Sequence, residues 1–138
     1  PLEEFNYLSL IGMMVWLIGL TIETIADRQK FDFKNRPGNK NKFIDFGLWK
    51  YSQHPNYFGE ILCWVGIYLY VLPALTGFGY VLGLLSPLFI SSLLLFFSGI
   101  PTLEESMRKK LARNKTLAKQ YSLYKQKTSI LIPLPPKK

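Results

Sequence analysis

The sequence predicts an all-α fold: a multi-pass transmembrane helical bundle of about three spans, followed by an amphipathic, basic C-terminal helix. Two uncharged runs and one segregation of charge predict it. From Ile61 to Ile100, 40 consecutive residues include no Asp, Glu, Lys, Arg or His, and Phe5 to Ile22 adds 18 more. About 20 helical residues cross a bilayer core, so the longer run supplies two crossings and the shorter one a third. All 17 Lys and Arg residues lie outside these runs, seven between Arg28 and Lys50 and ten between Arg108 and Lys138.

The first span is expected over about 5–26. Glu3 and Glu4 precede it where a signal peptide would carry basic residues, and no small-residue cleavage pattern follows. From Asp27 the chain turns polar and basic, and Pro37-Gly38 marks a turn, so this part reads as a linker. Trp49 and Tyr51 read as aromatics of an interfacial belt. The second span is expected over about 56–72, with Pro55 suited to its first turn because it has no N–H to leave unsatisfied. Pro73 to Gly79 reads as an uncharged hairpin. The third span follows over about 79–100, with a kink expected at Ser86-Pro87. A tail helix is expected over about 103–125. Thr102 is its candidate N-cap, and Glu104 and Glu105 precede basic residues as a helix dipole prefers. The whole chain, 1–138, reads as one membrane domain. Three crossings put both basic blocks on one side, which the positive-inside rule assigns to the cytoplasm. Whether the membrane is a bacterial inner membrane or the endoplasmic reticulum stays open, as does the oligomeric state.

Several function classes drop out. Cys63 is the only cysteine and His54 the only histidine, so no disulfide framework or Cys/His metal site is expected, and Cys63 reads as a small buried residue. There is no P-loop, no HExxH and no βαβ pattern, which excludes a soluble dinucleotide-binding domain. A pI near 9.6 would suit nucleic acid. Here, however, the basic residues flank membrane spans, so the lipid bilayer is the expected partner and nucleic acid is not.

Three polar sets stand where the apolar runs end. Glu23 and Asp27 are four apart at the end of the first span, and Asn56 and Glu60 are four apart at the start of the second. Glu104, Glu105 and Arg108 begin the tail. Polar groups near hydrocarbon face a cavity or one another, so the three sets predict one polar pocket at the membrane surface. The surrounding cations make it attractive to an anionic ligand such as the phosphates of a dinucleotide. Two plainer readings remain open. The tail acids can pair locally with Arg108 and Lys109, and the basic blocks can simply bind anionic lipid, as in a non-catalytic membrane interaction protein. His54 reads either as a general acid or base or as a residue that holds the turn before the second span. Tyr57 reads as an interfacial anchor.

The segments "IETIADRQKFDF", "GLWKYSQHPNYFGE", "SGIPTLEES" and "YKQKTSILIPLPP" resemble, in order and spacing, the C-terminal part of the steroid 5-alpha-reductase-like membrane proteins. Within that family they are most similar to the bacterial-type branch described as a domain of unknown function. The wider superfamily includes sterol reductases and isoprenylcysteine carboxyl methyltransferases. The resemblance implies a multi-helix membrane fold that binds NADPH from the cytoplasmic side and reduces a carbon–carbon double bond conjugated to a carbonyl in a hydrophobic, lipid or steroid-like small molecule. It implies cofactor contacts from Asp27, Asn56, Glu60 and Tyr124. It points less directly to Glu23, His54, Arg36, Lys42, Glu105 and Arg108. The family's catalytic residues belong to helices N-terminal to this stretch, so the chain is expected to be the C-terminal, cofactor-binding portion of a larger fold. Glu104-Glu105 keeps open the alternative of an S-adenosylmethionine-dependent methyltransferase of the isoprenylcysteine type.

Overall fold

A computed structural model describes residues 6–138, so Glu3, Glu4 and the expected helix start at Phe5 lie outside the described residues. The fold is helical, with three helical runs long and apolar enough to cross a membrane: Tyr7–Lys34, Pro55–Ala74 and Gly79–Leu111. Among the described residues the only β pairing is an isolated bridge between Ser52 and Ser129.

Helix α1 spans Tyr7–Lys34, and the Asn6 side chain caps it by accepting from the Leu8 N–H at 2.9 Å. It runs eight residues beyond the expected end. No Gly or Pro interrupts Asp27–Lys34, and Arg28 pairs with Asp32 one turn on, at 3.1 Å. The helix stops where Arg36 is forced into an extended conformation by the proline that follows it. Its 28 residues measure about 42 Å, against a hydrocarbon core of about 30 Å, so its last turns project from the bilayer.

Helix α2, Pro55–Val71, returns antiparallel to α1. Ser9 near the start of α1 donates to the Tyr70 carbonyl near the end of α2, at 2.8 Å. Four glycines set how close the two helices come. A Cβ on Gly12 would strike the Tyr70 backbone, and one on Gly66 would lie 2.5 Å from the Trp16 nitrogen. Gly19 and Gly59 meet in the same way one layer nearer the polar end, where Gly59 rests against the Glu23 backbone. Small residues that let backbones touch are a common device for helix association in lipid.

Helix α3, Gly79–Ser92, stays α-helical through Pro87, where the sequence suggested a kink. It loosens instead into a π-helical turn at Leu93–Phe97 and re-forms as α4, Ile100–Leu111, past Gly99. The predicted single tail helix is two helices. The chain breaks after Leu111, and Asn114 adopts an extended conformation to cap α5, Lys115–Lys127, accepting from the Leu117 N–H at 3.0 Å. Asparagine is among the best N-caps, and here it outweighs the helix propensity on either side. Thr102, the expected N-cap, lies inside the first turn of α4, and Gly99 takes the capping position.

The linker and the tail pack together at one end of the spans. Lys110 donates to the Lys42 carbonyl at 3.0 Å, and Tyr124 donates to the Trp49 carbonyl. The Phe43 ring sits 5.2 Å from the rings of both Tyr121 and Tyr124. Trp49 is no belt residue. It is 3% exposed, packed with Ala26 and Ile44, and its indole donates to the Ala26 carbonyl at 3.1 Å. The extension of α1 explains this, because it supplies a protein wall where the sequence suggested lipid headgroups.

Candidate functional site

The segment 47–54 is fixed from both sides before α2 begins. Gly47, at φ +62, lets the chain turn so that the Leu48 N–H donates to Gln29 on α1 at 3.1 Å. On the other side the C-terminal segment docks. Ser52 donates to the Leu131 carbonyl at 2.6 Å, and the Gln53 N–H donates to the Ser129 carbonyl at 2.8 Å. The Gln53 amide adds bonds to the Thr128 and Lys125 carbonyls. Ser52 Oγ also accepts from the His54 N–H at 3.1 Å. The polar residues of this stretch thus hold the chain terminus and fix the approach to His54.

His54 is 5% exposed, yet neither ring nitrogen has a hydrogen-bond partner. Its side chain does not cap α2. The ring stacks on Tyr57, centroids 5.5 Å apart and planes 10° apart, so Tyr57 faces the site and is not an outward anchor. Burial, aided by the nearby Lys30 charge, lowers the His54 pKa from 6.5 to about 4, so the ring is neutral near pH 7. The ring borders a cavity of about 450 Å³ whose walls carry Lys30, Lys34, Lys40, Lys42 and Lys110 and no carboxylate. Lys30 lies 4.9 Å over the Trp49 ring. Tyr121 and Tyr124 close another wall. Burial pushes Tyr121 up to about 12 and raises Tyr124 as well, so both stay neutral.

The pKa of His54 gives a measurable pH dependence. The unfolded histidine takes up its proton near pH 6.5 and the folded one only near 4, so the unfolded state binds more protons between those values. Stability contributed by neutral His54 is present above pH 6.5 and is lost as pH falls towards 4. The melting temperature should therefore decline more steeply over that window in the wild-type protein than in His54→Gln. Equal slopes would show that His54 does not titrate as a buried group.

Asn56, two residues after His54, meets Asp27 across the α1–α2 seam. The Asn56 amide donates to an Asp27 oxygen at 3.1 Å, while Asn56 Oδ1 is buried without a partner. Glu23 lies one turn before Asp27 on α1, 3.9 Å from the Cys63 sulfur, and within electrostatic reach of Glu60 and Asp27. The first two polar sets therefore adjoin directly along the α1–α2 seam. The third is placed differently. Glu104 pairs with Lys125 across α4 and α5 at 2.8 Å. Glu105 and Arg108 form a two-bonded pair at 2.8 and 2.9 Å, and both line a separate open groove between α4 and α5. Tyr124 and Lys42 line the lysine cavity, but the Tyr124 hydroxyl is already bonded to the Trp49 carbonyl. Arg36 is exposed and borders none of these cavities. Sequence reasoning missed Lys30, Lys34, Lys40 and Lys110. For the first two a signal existed, since they stand four apart and share a face once α1 is taken as far as Lys34.

Three apolar helical runs define a helical membrane protein, and a lysine-walled cavity lies at one end of them. The family model described as "Protein of unknown function (DUF1295)" matches residues 1–128, and the chain belongs to this family, which is steroid 5-alpha-reductase-like. A curated relative, steroid 5-alpha-reductase DET2 of Gossypium hirsutum, is 31% identical over 64 residues. That match covers 46% of this chain and 25% of the relative. No solved structure matches. The chain is accordingly a reductase-like membrane protein.

Proposed function

We propose that this chain is the cofactor-binding portion of an NADPH-dependent membrane reductase acting on a carbon–carbon double bond conjugated to a carbonyl in a lipid or steroid-like substrate. The observation that carries the reading is the set of buried polar atoms without partners. Among the described residues these are His54 Nδ1, His54 Nε2 and Asn56 Oδ1. Buried polar atoms are nearly always satisfied, and leaving one unpaired costs about 1–3 kcal/mol. His54 lines a cavity with five lysines, and Asn56 follows it by two residues. A ligand that offers hydrogen bonds and several negative charges fits that donor set, and a phosphorylated dinucleotide has both. The steroid reductase likeness supports the same choice.

Within this reading the lysines hold the phosphates. Neutral His54 offers one donor and one acceptor, and the His54–Tyr57 stack offers a flat surface. Asp27 orients the Asn56 amide and leaves Asn56 Oδ1 free to accept. Tyr124 shapes the wall through its bond to Trp49. When bound, NADPH supplies the hydride, and the protein contributes orientation and electrostatics. The apolar substrate enters from the bilayer. The lysine-rich end faces the cytoplasm, where the positive-inside rule places it. The methyltransferase alternative draws no support from the site, because Glu104 and Glu105 are both engaged in ion pairs.

The test is a pair of titrations of the detergent-solubilised full-length protein, one with NADPH and one with S-adenosylmethionine, reading the melting temperature. NADPH at about 100 times its dissociation constant should stabilise by about 2.7 kcal/mol, and S-adenosylmethionine should do nothing. A rise with S-adenosylmethionine alone would replace the reductase reading with the methyltransferase one. A response to neither would leave the lysines as a lipid-binding surface. In sealed vesicles, a water-soluble thiol reagent should label cysteines placed at 40 and 119 from the same face. Labelling from opposite faces would overturn the sidedness.

A further inference from the structure

The chain ends in a strap, residues 128–137, that none of the proposed cofactor chemistry uses. It is tied down by its backbone. The Ser129 and Leu131 carbonyls accept from Gln53 and Ser52, the Leu134 N–H donates to the Tyr51 carbonyl at 3.1 Å, and the Lys137 N–H donates to the Lys127 carbonyl at 2.9 Å. The backbone bends at 128 and at 130–132, and exposure alternates along the strap from 129 to 134. Ser129, Leu131 and Pro133 are half-buried, while Ile130, Ile132 and Leu134 are 61%, 56% and 53% exposed. Three large apolar side chains thus stand exposed along the strap. Such groupings are rare on surfaces that meet only water.

The position of the strap says what covers them. Its anchors, Tyr51, Ser52 and Gln53, directly precede Pro55, the first residue of a membrane-crossing helix. The strap therefore lies at the level where that helix leaves the bilayer. Its ends carry exposed Lys127, Lys137 and Lys138, a charge suited to anionic headgroups.

We propose that the C-terminal strap is an interfacial membrane anchor: Ile130, Ile132 and Leu134 insert into the headgroup boundary, and the flanking lysines hold anionic lipid phosphates. The depth is limited. A non-helical backbone has no place in the hydrocarbon, but in the wet boundary layer water satisfies the strap's remaining N–H and C=O groups. The inference stands on the strap alone and holds whether or not the cavity takes NADPH.

Nitroxide labelling of the full-length protein in vesicles of phosphatidylcholine with one-quarter phosphatidylglycerol tests it. Single cysteines go at 130, 132 and 134 in a Cys63→Ala background, with position 119 on exposed α5 as the aqueous control. The three strap labels should collide with dissolved oxygen more than with a water-soluble nickel chelate, and the label at 119 should do the reverse. If Cys63→Ala fails to fold, a photoreactive benzophenone side chain at 132 in the otherwise native chain should cross-link to phospholipid. Nickel collisions at 130, 132 and 134 as frequent as at 119 would overturn the proposal. So would labels shielded from both reagents, or cross-linking to a second protein chain, since either means that protein covers the strap.

Discussion

Gly66→Val is expected to drive α1 and α2 apart. The atoms that a side chain at 66 would meet are backbone: the Trp16 nitrogen at 2.5 Å, the Gly12 oxygen at 2.7 Å and the Trp16 Cα at 2.8 Å. No rotamer change removes a clash with backbone, so the helices themselves must move. Overpacking of this kind costs about 3 kcal/mol, the upper end of the usual range. Gly38→Ala is the control, because no atom lies within 4 Å of a Cβ there. The melting temperature in detergent should fall sharply for the first and stay put for the second. A Gly66→Val protein that melts like wild type would mean the seam is not this close. The damage should extend to the cavity, because Gly59 in the same seam rests on the Glu23 backbone one turn before Asp27.

The second large effect is on binding. Asn56→Ala removes both the amide that engages Asp27 and the buried, unpaired Oδ1. The loss of one buried polar partner weakens binding by about 1–3 kcal/mol, which is roughly five- to 150-fold in the NADPH dissociation constant. Asn56→Asp should fail as well, since it sets a second carboxylate against Asp27. Arg36→Ala should leave the affinity nearly unchanged, because Arg36 is exposed and away from the cavity. Direct titration of the three variants in detergent decides the matter. Normal binding by Asn56→Ala would detach the α1–α2 seam from the ligand site.

The membrane spans were legible in the sequence because bilayer thickness imposes a length on uncharged runs that little else in a protein imitates. Their ends were less so. Asp27–Lys34 is charged enough to read as linker, yet charge does not stop a helix, and α1 continues until Pro37 constrains Arg36. The break at Asn114 was hidden for the converse reason, since its neighbours all favour helix and only the capping geometry reveals it. The pairing of Asn56 with Asp27 could be anticipated from their positions at the facing ends of two spans. The partners of Ser52 and Gln53 could not, because they are backbone carbonyls more than 70 residues away and carry no sequence signature. The same holds for the stack of Tyr57 on His54, which depends on how the turn before α2 is fixed.

The glycine seam bears on how the gene for this protein can vary. Side chains such as Ile11, Met14, Leu82, Leu88 and Phe96 are exposed on the spans, and lipid distinguishes poorly between one oily group and another. Any of them can drift to another apolar residue at little cost. Gly12, Gly19, Gly59 and Gly66 are read as shape, and no apolar substitute serves. Two positions with the same hydropathy can therefore differ completely in tolerance, and a mutational scan of these helices would separate letters that matter for being greasy from letters that matter for being absent.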